Sequence, residues 1–97
     1  MSVAVADKLL FELGQLVATP GALLALRRTH VPAWELLKRH ITGDWGDLCA
    51  EDKAENKLSV REGFRILSAY TLPDGTKVWC ITEADRSVTT LLLPEDY

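Results

Sequence analysis

Apolar positions change their rhythm along the chain. Between about residue 20 and residue 62 they recur at helical spacing or give way to charge. From residue 64 onward they crowd into three runs dense in Ile, Val, Leu, Thr, Tyr and Trp. Residues 9–17 form an apolar segment broken at Gly14, which suits either a helix through Leu13 or a short strand; a strand over 15–18 is the favoured reading. Thr19-Pro20-Gly21 opens the first helix. Thr caps it, Pro brings its preset φ to the first helical position, and residues 22–28 supply good helix formers. A second helix is expected over 32–41, with Trp34, Leu37 and Ile41 as its core stripe, Lys38 and Arg39 turned outward, and Gly43 ending it. A third, over 48–57 and capped by Asp47, is nearly devoid of large apolar residues and so belongs mostly to solvent. Residues 59–63 then lead into strands over 64–72, 77–83 and 87–93.

Pro73-Asp74-Gly75 predicts a tight hairpin. Pro presets a type I turn and Gly takes the left-handed bulge that follows, so Leu72 pairs with Thr76. That register places Tyr70 opposite Val78, Ser68 opposite Cys80, and Arg65 opposite Glu83 as a cross-strand charge pair. A second turn over Asp85 and Arg86 sets Thr82 beside Thr89, Cys80 beside Leu91 and Trp79 beside Leu92. One end of the sheet becomes apolar. The other gathers Arg65, Thr82, Glu83, Asp85, Arg86, Thr89 and Thr90.

Ninety-seven residues, 47% hydrophobic and 26% charged, suit one domain rather than two independent cores. The expected fold class is α+β: a single small domain with N-terminal helices packed on a C-terminal antiparallel sheet of three or slightly more strands. A chain this short buries only roughly 60 to 70% of its unfolded surface, which makes self-association an attractive source of stability. No run approaches a membrane span, and the start Met1-Ser2-Val3-Ala4-Val5-Ala6-Asp7 lacks the basic head of a signal peptide, so a cytoplasmic location is expected. Cys49 and Cys80 form neither a disulfide framework nor metal knuckles; both are read as reduced and mostly buried.

Charge divides unevenly. Residues 1–40 carry five Lys/Arg against three Asp/Glu, and residues 41–97 carry six against eleven, within a net charge of −3. Arg27, Arg28, Lys38 and Arg39, with His30 and His40, are read as solvated helix ends complementing the dipole in preference to a phosphate site. Two motifs concentrate the chain's unusual residues, His40-Ile41-Thr42-Gly43-Asp44-Trp45-Gly46-Asp47 and Ile81-Thr82-Glu83-Ala84-Asp85-Arg86. Glycines around Asp44 and Trp45 bend the backbone sharply, and Trp45 is expected to plug the gap between helices and strands. Charges taken from water must pair, which points to Arg65 with Glu83, or Glu83 with Arg86, as a rigid polar floor. His40, Asp44, Asp47, Glu51, Asp52 and Glu55 match neither a zinc spacing nor a calcium loop, so no metal and no cofactor is assigned.

Residues 14–23, Arg39-His40, Gly43-Asp44-Trp45-Gly46, Arg65 to Tyr70, Trp79, the Ile81 to Arg86 motif and the ending Thr89 to Tyr97 together resemble a family of small bacterial proteins called plasmid-related proteins. The resemblance covers nearly the whole chain. It implies a cytosolic accessory factor carried on plasmids and integrated mobile elements, and brings no activity, cofactor or catalytic residue with it.

Two functions are weighed on the residues. The first is a non-enzymatic binding module, recognising a protein partner or a second copy through Asp44, Trp45, Arg65, Glu83, Asp85 and Arg86; the acidic whole disfavours nucleic acid. The second is a small hydrolase such as a toxin-type ribonuclease. There His40 would be the general acid or base, Glu83 or Asp85 its partner, and Arg86 a phosphate clamp.

Overall fold

The computed structural model describes residues 8–97. Residues 1–7, read above for a signal-peptide head, lie outside them. Strand β1 (Gln15–Ala18) is followed by helices α1 (Pro20–Thr29), α2 (Ala33–Ile41) and α3 (Ala50–Glu62), then strands β2 (Ile66–Thr71), β3 (Lys77–Thr82) and β4 (Val88–Leu92), and a turn of 3-10 helix at Pro94–Asp96. The fold is α+β. Its sheet has the order β1-β4-β3-β2. The three C-terminal strands are antiparallel as expected, whereas β1 joins β4 in parallel, so the sheet is mixed and has four strands. The three helices between β1 and β4 make the long return that a parallel pair requires.

Thr19 caps α1 as its sequence predicts, its Oγ1 accepting from the Ala22 amide at 3.2 Å and donating to Asp96 Oδ2 at 2.7 Å. Ala22, Ala25 and Leu26 face the core, and small residues let this helix lie close to the sheet. The hairpin register is also as expected. The Leu72 amide donates to Thr76 O at 2.8 Å, Gly75 sits at φ +89°, and Tyr70/Val78, Ser68/Cys80, Thr82/Thr89, Cys80/Leu91 and Trp79/Leu92 are partners.

Four expectations are corrected. The buried positions of α2 are Leu36 and His40, while Trp34 stays 65% exposed. The sheet beneath this helix offers hydroxyls, so an imidazole that can bond them goes inward and the indole does not. Asp47 does not cap α3: its amide and carboxylate are held by Ala69 O and Thr71 Oγ1 of β2, and the helix starts after Cys49. The helix also runs on to Glu62, stopped by Gly63 at φ +82°, because Asn56 and Ser59 bury polar groups that a hydrophobicity pattern does not count. Cys49 is exposed, and only Cys80 is the buried thiol expected.

Alternation puts Ile66, Ser68, Tyr70, Val78, Cys80, Thr82, Thr89 and Leu91 on the face beneath the helices. The apolar core occupies one end of that face, where Ala22, Ala25, Leu26 and Leu36 pack on Tyr70, Leu72, Val78, Cys80 and Leu91. The opposite end is the polar one, and the two motifs converge on it.

Candidate functional site

At the polar end a chain of side chains crosses three strands and one helix. His40 is fully buried in the last turn of α2. Its Nδ1 lies 2.6 Å from Ser68 Oγ on β2 and its Nε2 lies 2.9 Å from Thr82 Oγ1 on β3. Thr82 Oγ1 is 2.7 Å from Thr89 Oγ1 on β4, and Thr89 donates to the Leu13 carbonyl at 2.7 Å, in the segment that leads into β1. The two motifs therefore meet, through His40 and Thr82. Aromatic rings close the imidazole off: Phe11 and Trp45 stand edge-on to it at 5.2 and 6.0 Å. Burial, and secondarily the Arg86 guanidinium, push His40 down to about 4, so the ring is neutral at ordinary pH.

The Gly-Asp-Trp-Gly turn docks on the sheet as its composition predicts. Trp45 is 9% exposed, and its carbonyl accepts from the Ala69 amide at 3.1 Å while the Asp47 amide donates back to Ala69 O at 2.7 Å. Gly46, at φ +76°, passes so close to Ala69 O that no Cβ fits between them. Asp44 is exposed and held by Arg39, with Nε 2.7 Å from Oδ2; that hydrogen bonding keeps its carboxyl below the usual range. The Arg39 guanidinium also lies 4.4 Å over the Tyr70 ring, whose hydroxyl donates to Asp44 O at 2.6 Å. Burial raises the Tyr70 phenol above its ordinary value.

The second motif is equally committed to structure. Arg86, itself at φ +61°, donates through Nη1 to Phe64 O at 2.7 Å and to the Glu83 and Ala84 carbonyls at 3.2 Å, and through Nη2 to Ser59 O at 2.9 Å. It thus closes its own turn, caps the C-terminal end of α3 and joins the two. Neither expected ion pair to Glu83 forms. Arg65 turns the other way, to the Tyr97 hydroxyl at 2.8 Å, because β2 begins only at Ile66 and the ladder stops short of Arg65 and Glu83. The Glu83 carboxylate is half-buried and takes no ion pair among the described residues. Asp85 is exposed and accepts from the Ser87 amide at 3.0 Å, an Asx turn whose hydrogen bonding lowers its carboxyl.

Sequence reasoning placed Thr89 at this polar end beside Thr82, as found, but missed Ser68, Phe11 and Asn56. Alternation along the strands could have found Ser68, since the predicted register already places it on the face of Thr82. Asn56 Nδ2 donates to Leu67 O at 2.6 Å and its Oδ1 accepts from the Leu67 amide at 3.2 Å, a side-chain imitation of a strand with no signal in composition. A cleft of about 600 Å³ opens beside Trp45, lined by Leu10, Ala54 and Val60 with Lys53 and Lys57. Among the described residues no three His, Cys, Asp or Glu side chains group as metal ligands, and no helix is long and apolar enough to cross a membrane. Compared with protein-family models, curated proteins and solved structures, the chain matches none of them.

Proposed function

We propose that this protein is a non-enzymatic interaction module that takes up another polypeptide as an added strand on β1, in the accessory role that the plasmid-related resemblance implies. The observation that carries this reading is the contrast between the two edges of the sheet. The β2 edge is covered, at Leu67 by the Asn56 amide and at Ala69 by the backbone of Trp45 and Asp47. The β1 edge is not. Gln15 and Thr19 direct their amides to β4, at Ser87 O and Leu91 O, so by alternation the N–H and C=O groups of Leu16 and Ala18 point away from the sheet. Leu16 is 52% exposed and Val17 40%, on a strand without a single charge. Proteins ordinarily blunt such an edge with charge, proline or a covering segment. Strand addition uses it.

What speaks for a binder over a hydrolase is where the candidate acid–base groups lie. The His40 ring has both nitrogens bonded and no exposed surface, and four carbonyls occupy Arg86, so these two serve the frame. The test replaces Leu16 by Lys, putting a charge on the open edge at a position already half in solvent. Tagged wild-type chain and Leu16→Lys, produced in bacteria, are compared for co-purifying polypeptides, the untagged chain included. Polypeptides retained by wild type and lost by the variant support the module; the same set from both, or none from either, overturns it.

A further inference from the structure

We infer that the strand β1 receives is β1 of a second copy, antiparallel about a two-fold axis with Val17 facing Val17; this rests on the strand-addition reading above. The outward groups make the edge self-complementary in one register. An antiparallel pair needs residues that turn both N–H and C=O toward the partner to sit opposite one another. On β1 these are Leu16 and Ala18. Setting Leu16 against Leu16 would bring Ala18 opposite Gly14, whose φ of +66° takes its backbone out of the strand. Setting Ala18 against Ala18 would bring Leu16 opposite Pro20, which has no N–H. Only Leu16 against Ala18 satisfies both residues of both copies, and it centres the axis on Val17.

The side chains agree with the backbone. Leu16 and Ala18 pair with Thr89 and Leu91, so they project to the helix-covered face. There they line an apolar groove of about 300 Å³ with Leu23, Ala33 and Leu37. Leu23 is 51% exposed on the flank of α1, and Trp34, 65% exposed, lies one turn before Leu37 on the same flank of α2. At roughly 150 to 250 Å² for a large side chain, the exposed parts of Leu16, Val17, Leu23 and Trp34 come to on the order of 400 Å² per copy. Doubled, and joined by the backbone of the paired strands, this reaches the approximately 1,000 Å² that a specific interface needs. A two-fold axis normal to the sheet puts both helix layers on one side, so each groove meets the apolar flank of the other copy. With no charge on β1, nothing in the strand repels its own image. The result is one continuous sheet with both β1 strands at its centre, a closed dimer with both of its outer edges covered.

The test is light scattering on the full chain, with cross-linking to read the register. Wild type is expected at twice 10.8 kDa. Leu16→Lys is expected at the monomer mass with an unchanged circular dichroism spectrum. In a Cys49→Ser background, Val17→Cys is expected to form an intermolecular disulfide on mild oxidation, because directly facing residues of such a pair lie at disulfide distance. Gln15→Cys, which this register sets opposite Thr19 of the other copy, is expected to stay reduced. A monomeric wild type, a dimer that survives Leu16→Lys, or cross-linking through Gln15 in place of Val17 each overturns the proposal. A monomeric wild type that still loses co-purifying polypeptides on Leu16→Lys overturns self-pairing alone and leaves the module reading standing.

Discussion

His40 Nε2 lies 2.9 Å from Thr82 Oγ1, and this contact decides which ring nitrogen carries the proton. The Leu13 carbonyl can only accept, so Thr89 gives it its single hydroxyl proton. Thr89 must then accept from Thr82, and Thr82, its proton spent, must accept from Nε2–H. Nδ1 is left without a proton and accepts from Ser68. A neutral ring protonated at Nε2 satisfies the whole line, and no buried side-chain N or O among the described residues lacks a partner. Nitrogen chemical shifts of the labelled ring at neutral pH should show the Nε2–H tautomer; the Nδ1–H form would break the assigned direction.

The same burial makes stability depend on pH. The imidazole takes a proton near 6.5 when unfolded but only at about 4 in the folded protein. Between those values the unfolded chain binds more protons, so folding weakens as pH falls. The His40 contribution is complete above about 6.5 and is lost progressively down to about 4, a swing on the order of 3 kcal/mol. Urea midpoints measured across this window should fall for wild type and stay flat for His40→Gln. Parallel slopes for the two proteins would remove His40 as the cause.

Gly46 and Gly75 are both left-handed but differ in their neighbours. A Cβ at Gly75 meets nothing within 4 Å, so Gly75→Ala should cost only the left-handed strain, about 1 to 2 kcal/mol. At Gly46 the added atom would collide with Ala69 O and with the Tyr70 ring at 2.7 Å, and backbone carbonyls do not yield. Gly46→Ala should therefore exceed roughly 3 kcal/mol, detaching Trp45 from β2 as well. Thermal unfolding of the two variants side by side checks this, and equal losses would refute the tight docking of the turn.

Arg86→Lys tests whether the guanidinium is a brace. The fork spans Phe64 O and Ser59 O through different nitrogens, a reach that a single ammonium does not match. A hydrogen bond to a charged donor is worth about 1.5 to 3 kcal/mol, so Lys should lose on the order of 2 kcal/mol, with faster amide exchange at the end of α3. Wild-type stability in Arg86→Lys would show that the carbonyls find other donors at no cost.

Legibility followed the range of the interactions. The Pro73-Asp74-Gly75 turn fixes its own register within a few residues, and counting back from it along the chain is enough to pair Tyr70, Ser68, Cys80 and Thr82 with their partners. Thr19-Pro20 likewise announces α1. The parallel attachment of β1 to β4 has no local signature, since its partner lies beyond three helices. His40 and Trp34 exchanged their expected places for a related reason. Amphipathic spacing ranks side chains by polarity, but the hydroxyls that make a buried imidazole favourable come from Ser68, Thr82 and Thr89, far away in sequence. The two motifs did identify a convergence. What they could not show is that His40, Thr82, Thr89 and Arg86 are consumed in holding the sheet and its turns together.

Asn56 offers the sharpest test of how the two edges differ. Among the described residues its amide alone answers the outward N–H and C=O of Leu67. Asn56→Ala strands both, at roughly 1 to 3 kcal/mol for each group left without a partner, so a loss of about 2 to 6 kcal/mol is expected in denaturant unfolding. Size should change little while Trp45 and Asp47 still cover Ala69. Adding Gly46→Ala opens the rest of the edge and gives the sheet two free sides, and a molecule that can pair on both sides no longer closes on itself. Light scattering should then show open-ended growth that Leu16→Lys restrains. An Asn56→Ala protein with wild-type stability would mean that solvent serves the Leu67 groups equally well, and the account of β2 as a covered edge would fail with it.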